Sequence, residues 1–338
     1  MSNLQIGLAV AGGVVLAALV AHSAWTSRKN LPRQAEQEPD RIDPDMAAAD
    51  TAAEPAAFAL PVPERKPMLD PLIDVISSIS LDGVISGDAA LAAMPVTRRV
   101  GTKPFAVEGL NEVTQLWEFP VAGQRYSLLQ AGVQLANRSG PLNDIEYSEF
   151  VVKTQSFADV LDGTPEFPEM RDEVARAREL DQFAGSHDAQ LSFTLRAVNC
   201  AWSPGYVQQH AARLGFVAGA IPGRLVLPAA EQGLPPVLVL TFDALAALAE
   251  DPSQSAIWTV MLTLDVPQVS RAEQAFVRMR EAAKALAQAM EGTVTDDNGN
   301  LLGNDSMDQI GAKLETLYDT LEARDLAAGS LLARRLFS

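Results

Sequence analysis

"MLTLDVPQVSRAEQAFVRMREAAKALAQAMEGTVTDD", residues 261–297, decides the fold. It opens as the end of an apolar strand, 256–267, closed by Val266-Pro267. Proline cannot donate to a strand ladder, so the strand stops there. Within 271–290, Phe276, Met279, Ala283, Leu286 and Met290 recur at helical spacing. That stripe predicts an amphipathic helix with one buried face. Gly292 follows it, and "GTVTDDNGNLLG" (292–303) reads as a short strand and a turn at Asn298-Gly299. Strand, helix and strand in succession predict an α+β unit, with helices on one face of an antiparallel sheet.

The same pattern extends outward. Beyond 303, Asp305 or Ser306 caps a last helix with stripe Met307, Ile310, Leu314, Leu317 and Leu321. Upstream, 189–198, 216–228 and 235–245 are extended, and Ser203-Pro204 opens a helix that ends before Gly215. Further back, 71–85 is strand-like, 86–95 a short helix, and 103–110 and 113–123 extended. In 126–136, Leu129, Ala131, Val133 and Leu135 alternate against Gln130 and Gln134, so this is a half-buried strand. Residues 145–157 read as another strand, and 168–185 as a helix with stripe Met170, Val174, Ala177, Leu180 and Phe183, ending before Gly185. Both halves then read strand, helix, three strands, helix, and 128–152 shares its rhythm with 239–263. This predicts two degenerate copies of one α+β unit packed together, or one unit with a large N-terminal extension.

The N-terminus has a different chemistry. Residues 4–25 contain no Asp, Glu, Lys or Arg. A run of about 20 apolar residues is long enough to span a bilayer, so 4–26 is predicted to be a transmembrane helix. The basic residues Arg28, Lys29 and Arg33 follow the run instead of preceding it, which favours an uncleaved anchor over a signal peptide. By the positive-inside rule that end is cytoplasmic and the N-terminus periplasmic or exterior, with Trp25 at the interface. Trp25, Arg28 and Lys29 are the expected membrane contacts. Residues 27–68 hold many Pro, Ala and acids without a hydrophobic period, which predicts a disordered linker. The domain expectation is therefore an anchor at 4–26, a linker at 27–68, α+β units at 69–187 and 188–326, and a tail at 327–338.

Several chemistries find no support. A net charge of −17 argues against a nucleic-acid partner. One cysteine, Cys200, excludes a disulfide framework and a thiolate zinc site. The histidines, His22, His187 and His210, lie far from any metal-ligand spacing. No HExxH, Walker A, GxSxG or dinucleotide-binding glycine pattern is present. "DDNGNLLGNDSM" (296–307) places Leu301 where a calcium loop needs Gly and Met307 where it needs Glu. The reading is no enzyme, no cofactor, no metal and no small-molecule substrate.

One family is similar in order and spacing. "LQIGLAVAGGVVLAALVAHSAWTSRKN" (4–30) resembles the membrane anchor of the ZipA family of bacterial division proteins, which bind FtsZ. In that family a span and a "WTSRK"-like junction lead through a Pro-rich charged linker to a C-terminal domain. "GFVAGAIPGRLVL" (215–227) and 261–297, with Val266-Pro267, Phe276, Gly292 and Asp296-Asp297, resemble that domain. The resemblance covers about 1–30 and 188–326; residues 69–187 have no counterpart in it. It implies a split β-α-β domain whose open sheet face receives the C-terminal tail of FtsZ. Carried over, the face draws on Ser192, Thr194 and Arg196, on Ile221 and Gly223, on Val239 and Thr241, and on Met261, Thr263 and Asp265. It implies an inner-membrane, single-pass adaptor at the division septum. The family's face is markedly apolar, whereas this one is mostly Ser and Thr with few apolar residues. The alternative is a membrane-anchored structural or regulatory module of the envelope that has lost the FtsZ groove.

Overall fold

In a computed structural model the described residues are 32–35, 69–251 and 254–338. The expected transmembrane helix 4–26, with Trp25, Arg28 and Lys29, and most of the expected linker lie outside them. Among the described residues no helix is long and apolar enough to cross a membrane. The chain forms two compact units: residues 69–188 join Ala323–Ser338, and Ala189–Glu322 joins residues 32–35.

The first unit runs β1 (Asp74–Leu81), β2 (Ile85–Ser86), α1 (Gly87–Ala93), β3 (Arg99–Val100), β4 (Lys103–Asn111), β5 (Trp117–Glu118), β6 (Arg125–Gln134), β7 (Ala136–Asn137), β8 (Gly140–Pro141), α2 (Asp144–Val160), β9 (Gly163–Glu166) and α3 (Met170–His187). Its sheet has the core order β4-β6-β1-β9, all antiparallel. The alternation in 126–136 holds as far as Ala131, but Gly132 and Gln134 of the expected polar face are buried as well, and Gln134 Nε2 donates to the Ala136 and Arg335 carbonyls. Leu129, Ala131 and Val133 are buried and lie opposite Ile79, Ser77 and Val75.

Residues 145–157 are a helix, not the expected strand. Their β-branched and aromatic content suggests a strand, but the buried positions Tyr147, Phe150, Thr154, Phe157 and Ala158 recur every three or four residues. Asn143 and Glu146 form a reciprocal capping box at its start, which satisfies two amide donors that would otherwise be orphaned. Phe150 is central, with Phe105 at 6.2 Å and Phe167 at 6.0 Å. Gly185, expected to follow α3, lies inside it, and the helix runs on to His187.

Two tyrosines of this unit respond to alkali. Tyr126 is fully buried; its hydroxyl donates to Glu118 Oε1 at 3.0 Å and accepts from the Val121 amide at 2.9 Å. Gly109 leaves room for the ring, because a Cβ there would stand 2.4 Å from Tyr126 Cδ1. Burial pushes Tyr126 and Tyr147 up from 10.0 to about 12. A pKa raised by folding gives stability that is present below pH 10 and is lost as the pH rises towards the folded value. The first unit is therefore expected to lose stability between pH 10 and about 12. Denaturant unfolding across that range, with phenolate absorbance in parallel, checks this. Substitution of both tyrosines by Phe should flatten the pH dependence.

The second unit runs β10 (Gln190–Ala197), α4 (Pro204–Ala212), β11 (Val217–Ala218), β12 (Arg224–Leu227), β13 (Leu238–Thr241), α5 (Ala244–Ala247), β14 (Thr259–Asp265), α6 (Ala275–Met290), β15 (Gly292–Thr295) and α7 (Asn304–Glu322). The antiparallel sheet has the order β11-β12-β13-β14-β10-β15. Ser203 caps α4 with Pro204 at its first turn, as expected. All five stripe residues of α6 are buried. In α7 the buried face is Met307, Leu314, Tyr318 and Leu321, with Ile310 and Leu317 half-buried.

The two units share a topology. The order β13-β14-β10-β15 repeats β4-β6-β1-β9, and each places a long helix between its third and fourth core strands in the chain. The repeat is offset from the expected one. Matching 128–152 to 239–263 pairs β6 with β13, whereas the topology pairs β6 with β14 and α2 with α6. Residues 327–338, expected as a tail, contain α8 (Leu331–Leu336) and belong to the first unit.

Candidate peptide-binding face

In the second unit, β12, β13, β14 and β10 alternate between a leucine-rich face and a polar one. Leu225, Leu240, Leu262, Phe193 and Leu195 are buried, with Phe193 at 6.3 Å from Phe276 of α6. The register places the intervening residues in rows across the opposite face. One row is Arg224, Thr241, Met261 and Thr194. The next is Val226, Val239, Thr263 and Ser192. Beyond Thr194, Arg196 lies between Thr259 and Thr293. An antiparallel sheet commonly packs one face and leaves the other solvated, and β-branched threonine suits both strand backbone and water.

The face is half-buried to exposed, and Met261 near its centre is 44 % exposed. Thr194, Thr241, Thr259 and Met261 line a depression of about 200 Å³ with Phe242, Asp243 and Val260. Thr263 Oγ1 donates to the Val239 carbonyl at 3.3 Å, so this hydroxyl is engaged within the sheet.

Of the positions carried over from the family resemblance, Thr194, Thr241 and Met261 come together at the depression. Val239 and Thr263 adjoin them as a cross-strand pair. Arg196 lies at one end of the face, and Asp265 lies opposite Gln190 at the other. Ile221 does not join them. It is exposed in the turn between β11 and β12, where its carbonyl accepts from the Arg224 amide at 3.1 Å. Gly223 serves that turn at φ +74°, and a Cβ there would stand 2.6 Å from the Phe242 carbonyl oxygen. Arg224, Val226 and Thr259 belong to the face although sequence reading passed over them. The alternation of Arg224-Leu225-Val226-Leu227 carries the signal, since its leucines face inward.

Arg33, read as part of the basic cluster that keeps this end cytoplasmic, lies on the second unit and pairs with Glu291. Nor are residues 32–35 free linker, because Pro32 is buried and Arg33 forms a β-bridge with Trp202. His187 stacks on Phe183 at 4.2 Å and His210 lies 4.4 Å from the Tyr206 ring. Cys200 is half-buried. Among the described residues no group of three or more His, Cys, Asp or Glu could hold a metal ion.

An antiparallel sheet with a packed helical face and an open polar face defines a domain of the α+β class. Residues 248–313 match the family described as ZipA, C-terminal FtsZ-binding domain, so the chain carries a ZipA-like domain. The matched stretch runs over β14, α6, β15 and the first half of α7. It includes Thr259, Met261, Thr263 and Asp265, while the face residues of β10, β12 and β13 lie upstream of it. A comparison with curated proteins finds no match.

Proposed function

We propose that this protein is a membrane-anchored adaptor of bacterial cell division that binds the C-terminal tail of FtsZ on the open face of its second unit. The observation that carries the reading is the family match over 248–313, which falls on strands and helices arranged around an open sheet face. The apolar run 4–25 and the following basic residues support a single inner-membrane span with the folded units on the cytoplasmic side. Held at the membrane, many copies facing one filament gain avidity, so each contact need not be tight. No enzymatic step enters this mechanism. The polar face favours an extended or turn-forming peptide that hydrogen-bonds threonine hydroxyls and seats one apolar residue beside Met261.

The test is titration of the full chain in detergent with an FtsZ tail peptide and with polymerised FtsZ. Binding is expected, and Met261→Lys should weaken it about tenfold or more, a loss of about 1.4 kcal/mol. Met261 is 44 % exposed, so the substitution leaves the core intact. Silence of the unaltered chain towards both peptide and polymer refutes the adaptor role and favours an interaction module without the FtsZ groove.

A further inference from the structure

The second unit holds a short piece of its own N-terminal region. The Arg33 amide donates to the Ala201 carbonyl at 2.8 Å, and the Ser203 amide donates to the Arg33 carbonyl at 2.8 Å. Trp202, between those two contacts, also exchanges two backbone hydrogen bonds with Ile257, at 2.9 and 2.8 Å. Arg33, Trp202 and Ile257 thus form a small three-chain ladder, parallel on one side and antiparallel on the other. The Arg33 guanidinium pairs with the Glu291 carboxylate, with the Tyr206 phenol beside it. Pro32 is buried, and Ala35 lies against Gly205, where an added Cβ would stand 3.8 Å from its own. An exposed ion pair contributes little by itself. Here it is joined to a backbone ladder and a buried proline, which makes a built docking site for this segment.

We propose that Pro32–Ala35 is a clip that holds the second unit close to the membrane, so that residues 36–68 connect the clip to the first unit instead of spacing the second unit from the bilayer. This rests on the anchor reading of residues 4–26 given above. From Trp25 to Arg33 there are about eight residues, which reach at most about 29 Å when fully extended. Without the clip, the shortest path from Trp25 to folded chain ends at Leu69 and allows about 150 Å. The clip therefore sets how far from the bilayer the ZipA-like face can work, and it confines a captured partner to a thin layer under the membrane.

The experiment uses the full chain in nanodiscs of phosphatidylcholine and phosphatidylglycerol. Hydrogen exchange reads the Ser203 amide, and energy transfer to a headgroup-labelled acceptor lipid reads distance from a donor attached in a Cys200→Ser, Lys284→Cys background. Arg33→Pro removes the amide donor and the guanidinium together, outside the body of the unit. The expected result is at least tenfold faster exchange at Ser203, unchanged exchange in β14, and a fall in energy transfer. A second variant, Arg33→Glu, should weaken protection, and Arg33→Glu with Glu291→Arg should restore it. Protection at Ser203 that ignores residue 33 overturns the proposal through the clip. Energy transfer that stays constant when the clip is lost overturns its role in setting distance. An unaltered chain that fails to enter the nanodisc while Ser203 protection still depends on Arg33 overturns the proposal through the anchor reading alone.

Discussion

Asp74→Ala is expected to destabilise the first unit by about 3–5 kcal/mol, the cost of leaving a buried charge without its partner. The Asp74 carboxylate is 1 % exposed and accepts from Arg335 Nη1 at 2.9 Å and Nη2 at 2.5 Å. It also accepts from the Asp70 amide at 2.9 Å. Burial pushes the Asp74 carboxyl up, and the Arg335 guanidinium opposes that shift. Removal of the acid breaks both of these hydrogen bonds to a guanidinium whose side chain is 12 % exposed. The effect reaches the C-terminal segment as well. The Arg335 carbonyl accepts from Gln134 Nε2 at 2.8 Å, and the Ser338 carbonyl accepts from the Arg138 amide at 3.2 Å. Leu336 and Phe337 are buried beside them. Arg335→Ala should cost a similar amount. The double replacement Asp74→Leu with Arg335→Met should cost less than either single change, since it removes both charges. Denaturant-dependent hydrogen exchange of β6 amides measures these effects in the first unit alone. A double-variant loss equal to the sum of the two single losses would show that the pair is not coupled.

That ion pair also shows why part of the fold was hidden in the sequence. Its partners are 261 positions apart. Nothing in the composition of 327–338 marks it as a core segment, so it reads as a tail. Elements fixed by local periodicity were legible: α6 from its five-residue stripe, β6 from its alternation, α4 from Ser203-Pro204. Residues 145–157 were misread because Ile, Tyr, Phe and Val favour strands, while the capping box at Asn143 and Glu146 points to a helix. That exchange also displaced the internal repeat by one strand. On the candidate face, Thr194, Thr241 and Met261 were expected from the family resemblance, and the strand register places them side by side in one row. Ile221 fails because Gly223 and the turn before β12 interrupt that alternation. Arg33 was read with Arg28 and Lys29 because charge runs look alike in sequence, whereas its partner Glu291 is reached only through the fold.

Trp202→Ala is expected to destabilise the second unit by about 3–5 kcal/mol, as for other large aromatic truncations in a core. Trp202 is fully buried, and its Nε1 donates to the Met290 carbonyl at 2.8 Å. That carbonyl belongs to the end of α6, where intrahelical partners run out, so the indole supplies the missing donor. The ring also lies against Gly292 at the start of β15. A Cβ there would stand 3.0 Å from Trp202 Cζ2 and 3.1 Å from the Arg196 carbonyl oxygen. Trp202→Phe should cost less than Trp202→Ala, because it keeps most of the packing and loses the Met290 hydrogen bond, worth about 0.5–1.5 kcal/mol net. Gly292→Ala should destabilise the unaltered chain by about 1–3 kcal/mol through overpacking. In a Trp202→Ala background the ring contact is gone and only the Arg196 carbonyl remains, so the two substitutions should combine to less than their sum. Hydrogen exchange of β10 and β14 amides, with first-unit amides as the internal control, reads the result. Full additivity would mean that the ring does not control the space above Gly292. The same loss should expose the Ser203 amide to exchange, because Trp202 separates the strand at Ile257 from residues 32–35. The tryptophan that joins the end of α6, the start of β15 and the approach to β14 thus also holds the floor on which Arg33 docks.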